Sequence, residues 1–256
     1  MVKIQRLNMD NSWWVDLNGV KILIDPWLVG TEVDYFGWFN TQWHRTKPIS
    51  LDDLPDFDLV LITQKYPDHF HKETLQLIQP KLIVGPKSIG KSMNKILPSS
   101  QFIPFDRKIK NVGELSFNLH HLPTKRKIDP IYDALIIEDG KNAIFLATHG
   151  FALDEKNQEL LSELPDFDLL LTPFNRYKLP VFLGGEVAPG IKSVEKLIHE
   201  LDPKFVAATH DEDKHAKGIV SKFAKIDWSP NKDVLKENPI IGPKYLAFEN
   251  YQIQTL

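Results

Sequence analysis

The chain has 256 residues, with 31 Lys and Arg against 34 Asp and Glu, 42% apolar residues, 13 Gly, 18 Pro and no Cys. That is an ordinary globular composition on a length able to bury a full core, which excludes a disordered chain. Zero Cys excludes disulfides, thiolate metal sites, iron–sulfur clusters and a cysteine nucleophile, so any metal here must be held by His, carboxylate or neutral oxygen ligands.

A formal net charge of -3 with interspersed signs offers no broad electrostatic footprint for nucleic acid. The short basic cluster LPTKRK at 122–127 reads as a solvated loop. Apolar runs such as Leu59 to Ile62 are strand-sized, far below the ~18 residues that cross a bilayer. The opening MVKIQRLNMDNSWW has no apolar h-region after its basic residues, so a cytoplasmic protein is expected.

In chain order, Val2 to Leu7, Ser12 to Leu17 and Val20 to Asp25 read as an antiparallel meander. Asn18-Gly19 is a hairpin signal, because both central positions of a type I′ turn need positive φ. Asp25-Pro26 ends the third strand. Residues 27–48 carry Trp27, Tyr35, Phe36, Trp38, Phe39 and Trp43 without a sustained period. They read as a long aromatic loop, either core under a loop or a lid over an apolar substrate pocket.

Strand–helix alternation follows: strand 58–63, helix 72–78, strand 81–84, helix 88–97 and strand 101–104. Strands are then expected at 114–122, 132–138 and 142–148, a helix at 154–162, a strand at 168–172 and a helix at 191–200. A strand at 204–209, a helix near 212–224 and a strand at 244–249 complete the series. GGEVAPG at 184–190 lacks the spacing and the lysine of a phosphate loop and reads as a connection into the helix at 191.

LPDFDLVLITQ at 54–64 and LPDFDLLLTPF at 164–174 share their first six residues and both run into a buried strand. Two related halves, roughly 1–130 and 131–256, each a sheet flanked by helices, make an α/β (α+β) four-layer αββα sandwich within a single domain.

The stretch TQKYPDHFHKETL at 63–75 places Gln64, Tyr66, Asp68, His69 and His71 in a strand-to-helix loop, where open α/β sheets bind ligands. Thr63-Gln64-x-Tyr66-x-Asp68-His69 resembles the Thr-His-x-His-x-Asp-His hallmark of the metallo-β-lactamase superfamily, with the first two His replaced. KILIDP at 21–26, IFLATHG at 144–150 and PKFVAATH at 203–210 resemble, in the same order, strand ends of its ascorbate-6-phosphate lactonase and N-acylphosphatidylethanolamine phospholipase D branch.

The resemblance implies a sandwich of the metallo-β-lactamase type and a degenerate metal centre. Family positions for the first ion fall on Gln64, Tyr66 and a residue near Arg126, none an ordinary ligand; a shift of register brings in one of His120 and His121, which point to opposite faces of a strand. Positions for the second ion fall on Asp68, His69, His149 in place of a bridging Asp, and His210. Three imidazoles and one carboxylate suit one divalent transition ion, zinc foremost, with manganese or iron as alternatives; an empty site is the other option. Gln64, Tyr66, Asp68 and Arg126 are the catalytic candidates, with Gln64, Tyr66 and Arg126 orienting substrate or stabilising an oxyanion.

Plainer roles compete. The Asp68-His69 pair could cap the helix starting near Lys72. His71 reads as a solvated first-turn residue, His199 as a partner of its helix dipole, His215 as helix surface, and His44 has no evident partner. Asp25 is expected to hold loop backbone. The expected function is metal-dependent hydrolysis of an ester, lactone or phosphodiester bond in a small or lipid-like substrate. The alternative is a catalytically inactive member of the fold that binds a small molecule or lipid. A nuclease is disfavoured by the acidic balance and the missing first-site ligands.

Overall fold

Val2–Arg6 (β1), Trp13–Leu17 (β2) and Val20–Ile24 (β3) pair antiparallel as the alternating segments require. In this computed structural model, which describes residues 1–105, 108–124, 133–183, 185–211, 214–248 and 250–256, the turn residues Asn18 and Gly19 have φ of 54° and 95°. A type I′ hairpin needs that sign at both positions.

Residues 27–48 are not a structureless loop. Glu32–Asp34 (β4) and Asn40–Trp43 (β5) form an antiparallel hairpin, and the polar Asn40 and Thr41 are buried in it. Sequence periodicity does not reveal it because each strand is only a few residues long.

Leu59–Leu61 (β6), Lys72–Ile78 (α1), Leu82–Pro86 (β7), Gly90–Ile96 (α2) and Gln101–Phe105 (β8) supply the expected alternation. Leu59, Val60 and Leu61 have no exposed surface, the continuous apolar signature of a strand covered on both faces. The resulting sheet has seven strands in the order β19-β1-β2-β3-β6-β7-β8, where β19 is Gln254–Thr255.

Next come Lys108–Ile109 (β9), Asn118–Leu122 (β10), Ala134–Glu138 (β11), Ala143–Leu146 (β12), Glu155–Leu161 (α3), Phe167–Pro173 (β13), Arg176–Lys178 (β14), Glu186–Pro189 (β15), Ile191–Leu201 (α4) and Phe205–Thr209 (β16). A six-stranded sheet takes the order β16-β13-β12-β11-β10-β9. Helix α4 buries Val194, Leu197, Ile198 and Leu201, one stripe at helical spacing. Residues 186–189 belong to a strand paired with β14, so GGEVAPG is more than a connection.

The expected helix near 212–224 is instead His215–Lys217 (β17), which extends the β4–β5 hairpin into a three-stranded sheet, and a short helix, Ile219–Phe223 (α5). Gly218, at φ 119°, separates the two and ends any continuous helix. Lys225–Asp227 (β18) and Lys232–Glu237 (α6) follow. The expected strand at 244–249 reduces, among the described residues, to one bridge between Tyr245 and Val206.

The chain folds as two units. The first takes Met1–Asp106, Glu212–Phe223 and Asn250–Leu256, and the second Arg107–Asp211 and Ala224–Glu249. The first is cored by Leu7, Trp14, Leu23, Val60, Phe70 and Leu75, among others. The second is cored by Ile136, Phe145, Leu170, Phe174, Val194 and Val206, among others.

Each unit repeats one strand plan. β1, β2 and β3 are antiparallel neighbours and β3, β6 and β7 parallel ones; β10, β11 and β12 are antiparallel and β12, β13 and β16 parallel. The repeated LPDFDL lies at matching places in this plan. Asp58 Oδ2 accepts from the Lys21 amide at 2.7 Å in β3, and Asp168 Oδ2 accepts from the Ala143 amide at 3.2 Å in β12. In both units the motif's aspartate fastens the next parallel strand.

Candidate metal centre

In the first unit the site is built on Asp25, just past β3. Its backbone has φ 44°, a left-handed conformation that costs energy outside Gly and gathers at functional sites. The buried carboxylate accepts from the Thr63 amide at 2.7 Å and from Asn11 Nδ2 at 2.8 Å. Its Oδ2 lies 2.7 Å from His69 Nδ1. Asp25 thus holds loop backbone, as expected, and fixes an imidazole as well.

Fastening Nδ1 leaves His69 Nε2 as the outward atom, 3.7 Å from Asp68 Oδ2. A carboxylate behind a histidine is the usual device for orienting a ligand ring. Burial works against a charge on His69, but Asp68 and Asp25 outweigh it and push the imidazole up to about 9. The negative surroundings favour a cation at this ring, whether proton or metal.

Asp68 and His69 do not cap α1. His71 does: its Nδ1 accepts from the Thr74 amide at 3.3 Å. His71 is buried rather than solvated, and burial lowers its pKa. A buried neutral imidazole is what an acceptor cap requires. His44 also has a partner: its ring lies against Trp27, with centroids 3.9 Å apart and 40° between planes, and its Nε2 lies 3.1 Å from the Trp27 carbonyl. His215 lies in β17 against Trp43, with centroids 5.6 Å apart. His199 lies in the last turn of α4, as expected.

Gln64 is buried and Tyr66 half-buried in the loop after β6. The Tyr66 carbonyl accepts from the His69 and Phe70 amides at 3.0 and 2.6 Å, closing the turn that presents Asp68. Arg126 lies outside the described residues.

Sequence reading missed the charges around Asp68. Lys214, just before β17, is half-buried, with its Nζ 3.0 Å from Oδ1 of the buried Asp10. Burial opposes its charge, but Asp10, Asp68 and Glu32 together raise its pKa. Burial and Asp68 push Glu32 up to about 9, and the same causes push Asp34 up to about 6. The base of the β4–β5 hairpin therefore belongs to the electrostatic surroundings of Asp68. A signal existed for Asp10: in NMDNS, Asn8 Oδ1 accepts from the Asp10 and Ser12 amides at 2.9 Å each, an Asx-type turn. None existed for Lys214, which lies far away in the chain.

In the second unit His149 and His210 come together, their rings stacked with centroids 4.8 Å apart and 25° between planes. Both are carried past the C-terminal ends of parallel strands, β12 and β16, where such sheets bind ligands. The turn presenting His149 closes through Gly150 N to Ala147 O at 2.8 Å. Gly150 has φ 84°, and a Cβ there would lie 2.6 Å from Pro189 Cγ, so the glycine of THG is sterically required. His210 has φ 53°, and its carbonyl accepts from Asn175 Nδ2 at 2.8 Å.

His120 and His121 do point to opposite faces. His120 Nε2 is 3.0 Å from Glu138 Oε1, and His121 Nε2 is 2.8 Å from Asp133 Oδ2.

Residues 7–210 match the model of the β-lactamase superfamily domain. The chain belongs to that family. Its fold recurs in an isothiocyanate hydrolase from Delia radicum gut bacteria, with a TM-score of 0.69 at 16% identity, covering 100% of this chain and 99% of that one. It also recurs in a metallo hydrolase from Ignicoccus hospitalis, with a TM-score of 0.63 at 19% identity over 99% and 97% of the two chains. A third is "a possible metal-dependent hydrolase" from Veillonella parvula, with a TM-score of 0.71 at 15% identity over 100% of both chains. No curated protein sequence matches the chain. The architecture is thus the mixed α/β fold of the metallo-β-lactamases, and no helix among the described residues is long and apolar enough to cross a membrane.

Proposed function

We propose that the chain is a cytoplasmic metal-dependent hydrolase, lactonase-like in chemistry, acting on an ester, lactone or phosphodiester bond of a small or lipid-like substrate. One divalent transition ion, zinc foremost, takes Asp68, His69, His149 and His210 as ligands. The observation carrying this reading is the Asp25–His69 contact of 2.7 Å, which turns Nε2 toward Asp68; a buried histidine held only for packing needs no such pair. Family membership and the hydrolases sharing the fold support the reaction class.

Three imidazoles and a carboxylate fit a borderline-soft divalent ion. When bound, such an ion supplies Lewis acidity and a lowered pKa for water. The chain's residues do the rest. Asp25 keeps the His69 ring in place, Gln64 and Tyr66 hydrogen-bond and orient the substrate, and Arg126 pairs with its phosphate or carboxylate.

The test is elemental analysis of dialysed protein beside His69→Ala and His210→Ala, followed by hydrolysis assays on lactones, esters and phosphodiesters. The expected result is one equivalent of transition metal, lost in both variants together with turnover. Two equivalents would overturn the mononuclear site. No metal after reconstitution would overturn the hydrolase and leave a binding module on this fold.

A further inference from the structure

Tyr35, Phe36 and Trp38, at the tip of the β4–β5 hairpin, are 73%, 60% and 63% exposed. An aromatic cluster left open to water is unusual enough to mark an interaction surface. The tip is well ordered by its own bonds. Phe36 N donates to Asp34 O at 2.7 Å, Phe39 N to Phe36 O at 2.8 Å, and Thr41 Oγ1 to Gly37 O at 3.0 Å. Ile219 N donates to Trp38 O at 3.1 Å and Val220 N to Phe39 O at 3.0 Å, so the start of α5 braces the tip. The Phe36 and Trp38 rings stack at 5.6 Å and 4°. Several backbone polar groups of the tip are thus paired while its aromatic side chains stay exposed.

Exposed basic side chains lie on β17 and α5, the elements that flank the tip, while Asp34 is the acidic residue at its base. Residues 35–47 and 214–223, joined through the β5–β17 ladder, contain no Asp or Glu in a chain whose net charge is -3. They carry Arg45, Lys47, Lys217 and Lys222, all exposed. Phe223, beside Lys222, is a further exposed apolar side chain.

We infer that the β4–β5 hairpin tip and α5 form a docking surface for an anionic lipid bilayer. Trp, Tyr and Phe enter the headgroup region, where an apolar ring with a polar edge is favoured, and flanking Lys and Arg meet the negative surface. The protein lies on the membrane through this surface and does not span it. The inference goes beyond the proposed hydrolysis and needs no bound ion.

The experiment is flotation of the full chain with vesicles of phosphatidylcholine alone or mixed with phosphatidylserine, following intrinsic Trp emission. Phe36→Ser/Trp38→Ser and Lys217→Glu/Lys222→Glu are run alongside, their folding checked by circular dichroism. The expected result is flotation with the anionic vesicles, a blue shift of Trp emission, weakening by salt and a loss of about tenfold or more in either variant. No flotation of the wild type, or flotation unchanged in the aromatic variant, overturns the inference. So does self-association through the tip in place of vesicle binding, or a variant that alters only turnover of a soluble substrate.

Discussion

Lys214 Nζ lies 3.0 Å from Asp10 Oδ1 and 5.3 Å from the centroid of the Trp27 ring. A half-buried ammonium is thus paired with a buried carboxylate and set against an aromatic face, with Asp68 also favouring its charge. Removing one partner of such a pair leaves the other buried and unpaired, which costs about 3 kcal/mol or more. Lys214→Met, close in length and uncharged, is expected to lower unfolding stability by that amount in urea titration. A shift of only a few tenths would show that water enters to replace the lysine.

Asp25 and His69 lead to a prediction about affinity rather than fold. Asp25→Asn keeps the size of the side chain and an acceptor for the Thr63 amide, but removes the negative charge behind the His69 ring. Losing such support weakens metal binding by about 10- to 100-fold. Competition with a chromogenic chelator measures this directly, and thermal unfolding of the metal-free protein checks that folding is retained. Affinity equal to wild type would remove Asp25 from the proposed site.

Glu138 sets an acid-side dependence of stability. Burial alone raises its carboxyl, but bonds from His120, Asn118 and the Gly140 amide outweigh that and leave its pKa lowered. A carboxyl whose folded pKa is depressed adds stability that is complete above the unfolded value, near ~4.3, and is lost as pH falls through the folded value. Glu138→Gln is therefore expected to be less stable than wild type at neutral pH, with the gap closing as pH falls below the unfolded value. Paired denaturation curves across the acid range test this, and a gap that stays constant would contradict it.

The sequence was legible where one strand's chemistry decides the outcome. Asn18-Gly19 dictates its own turn, and the apolar run Leu59 to Ile62 can only be a covered strand. LPDFDL was legible as a repeat because its aspartate does the same backbone work at Asp58 and Asp168. The order of strand-end motifs carried the family. Asp68 and His69 were readable as a pair, but the Asp25 contact that orients His69 spans 44 positions and leaves no local pattern. The same limit hid Lys214, which lies 204 positions from Asp10. The hairpin within 27–48 escaped because its third strand, β17, is supplied by residues near 215.

Gly19 and Gly218 both have positive φ, yet replacement by Ala should affect them differently. A Cβ on Gly19 meets nothing within 4 Å, whereas one on Gly218 collides with the Phe39 carbonyl. Gly19→Ala should therefore cost only the left-handed penalty, about 1 kcal/mol. Gly218→Ala adds a backbone clash at the joint between β17 and α5, where Ile219 and Val220 bond to Trp38 and Phe39. It should destabilise the protein further and loosen the aromatic tip, speeding proteolytic cleavage after Tyr35 or Trp38 while the cleavage pattern of Gly19→Ala stays that of wild type. Equal losses of stability in the two variants would mean that the Phe39 backbone yields to the new methyl and that the brace on the tip is soft.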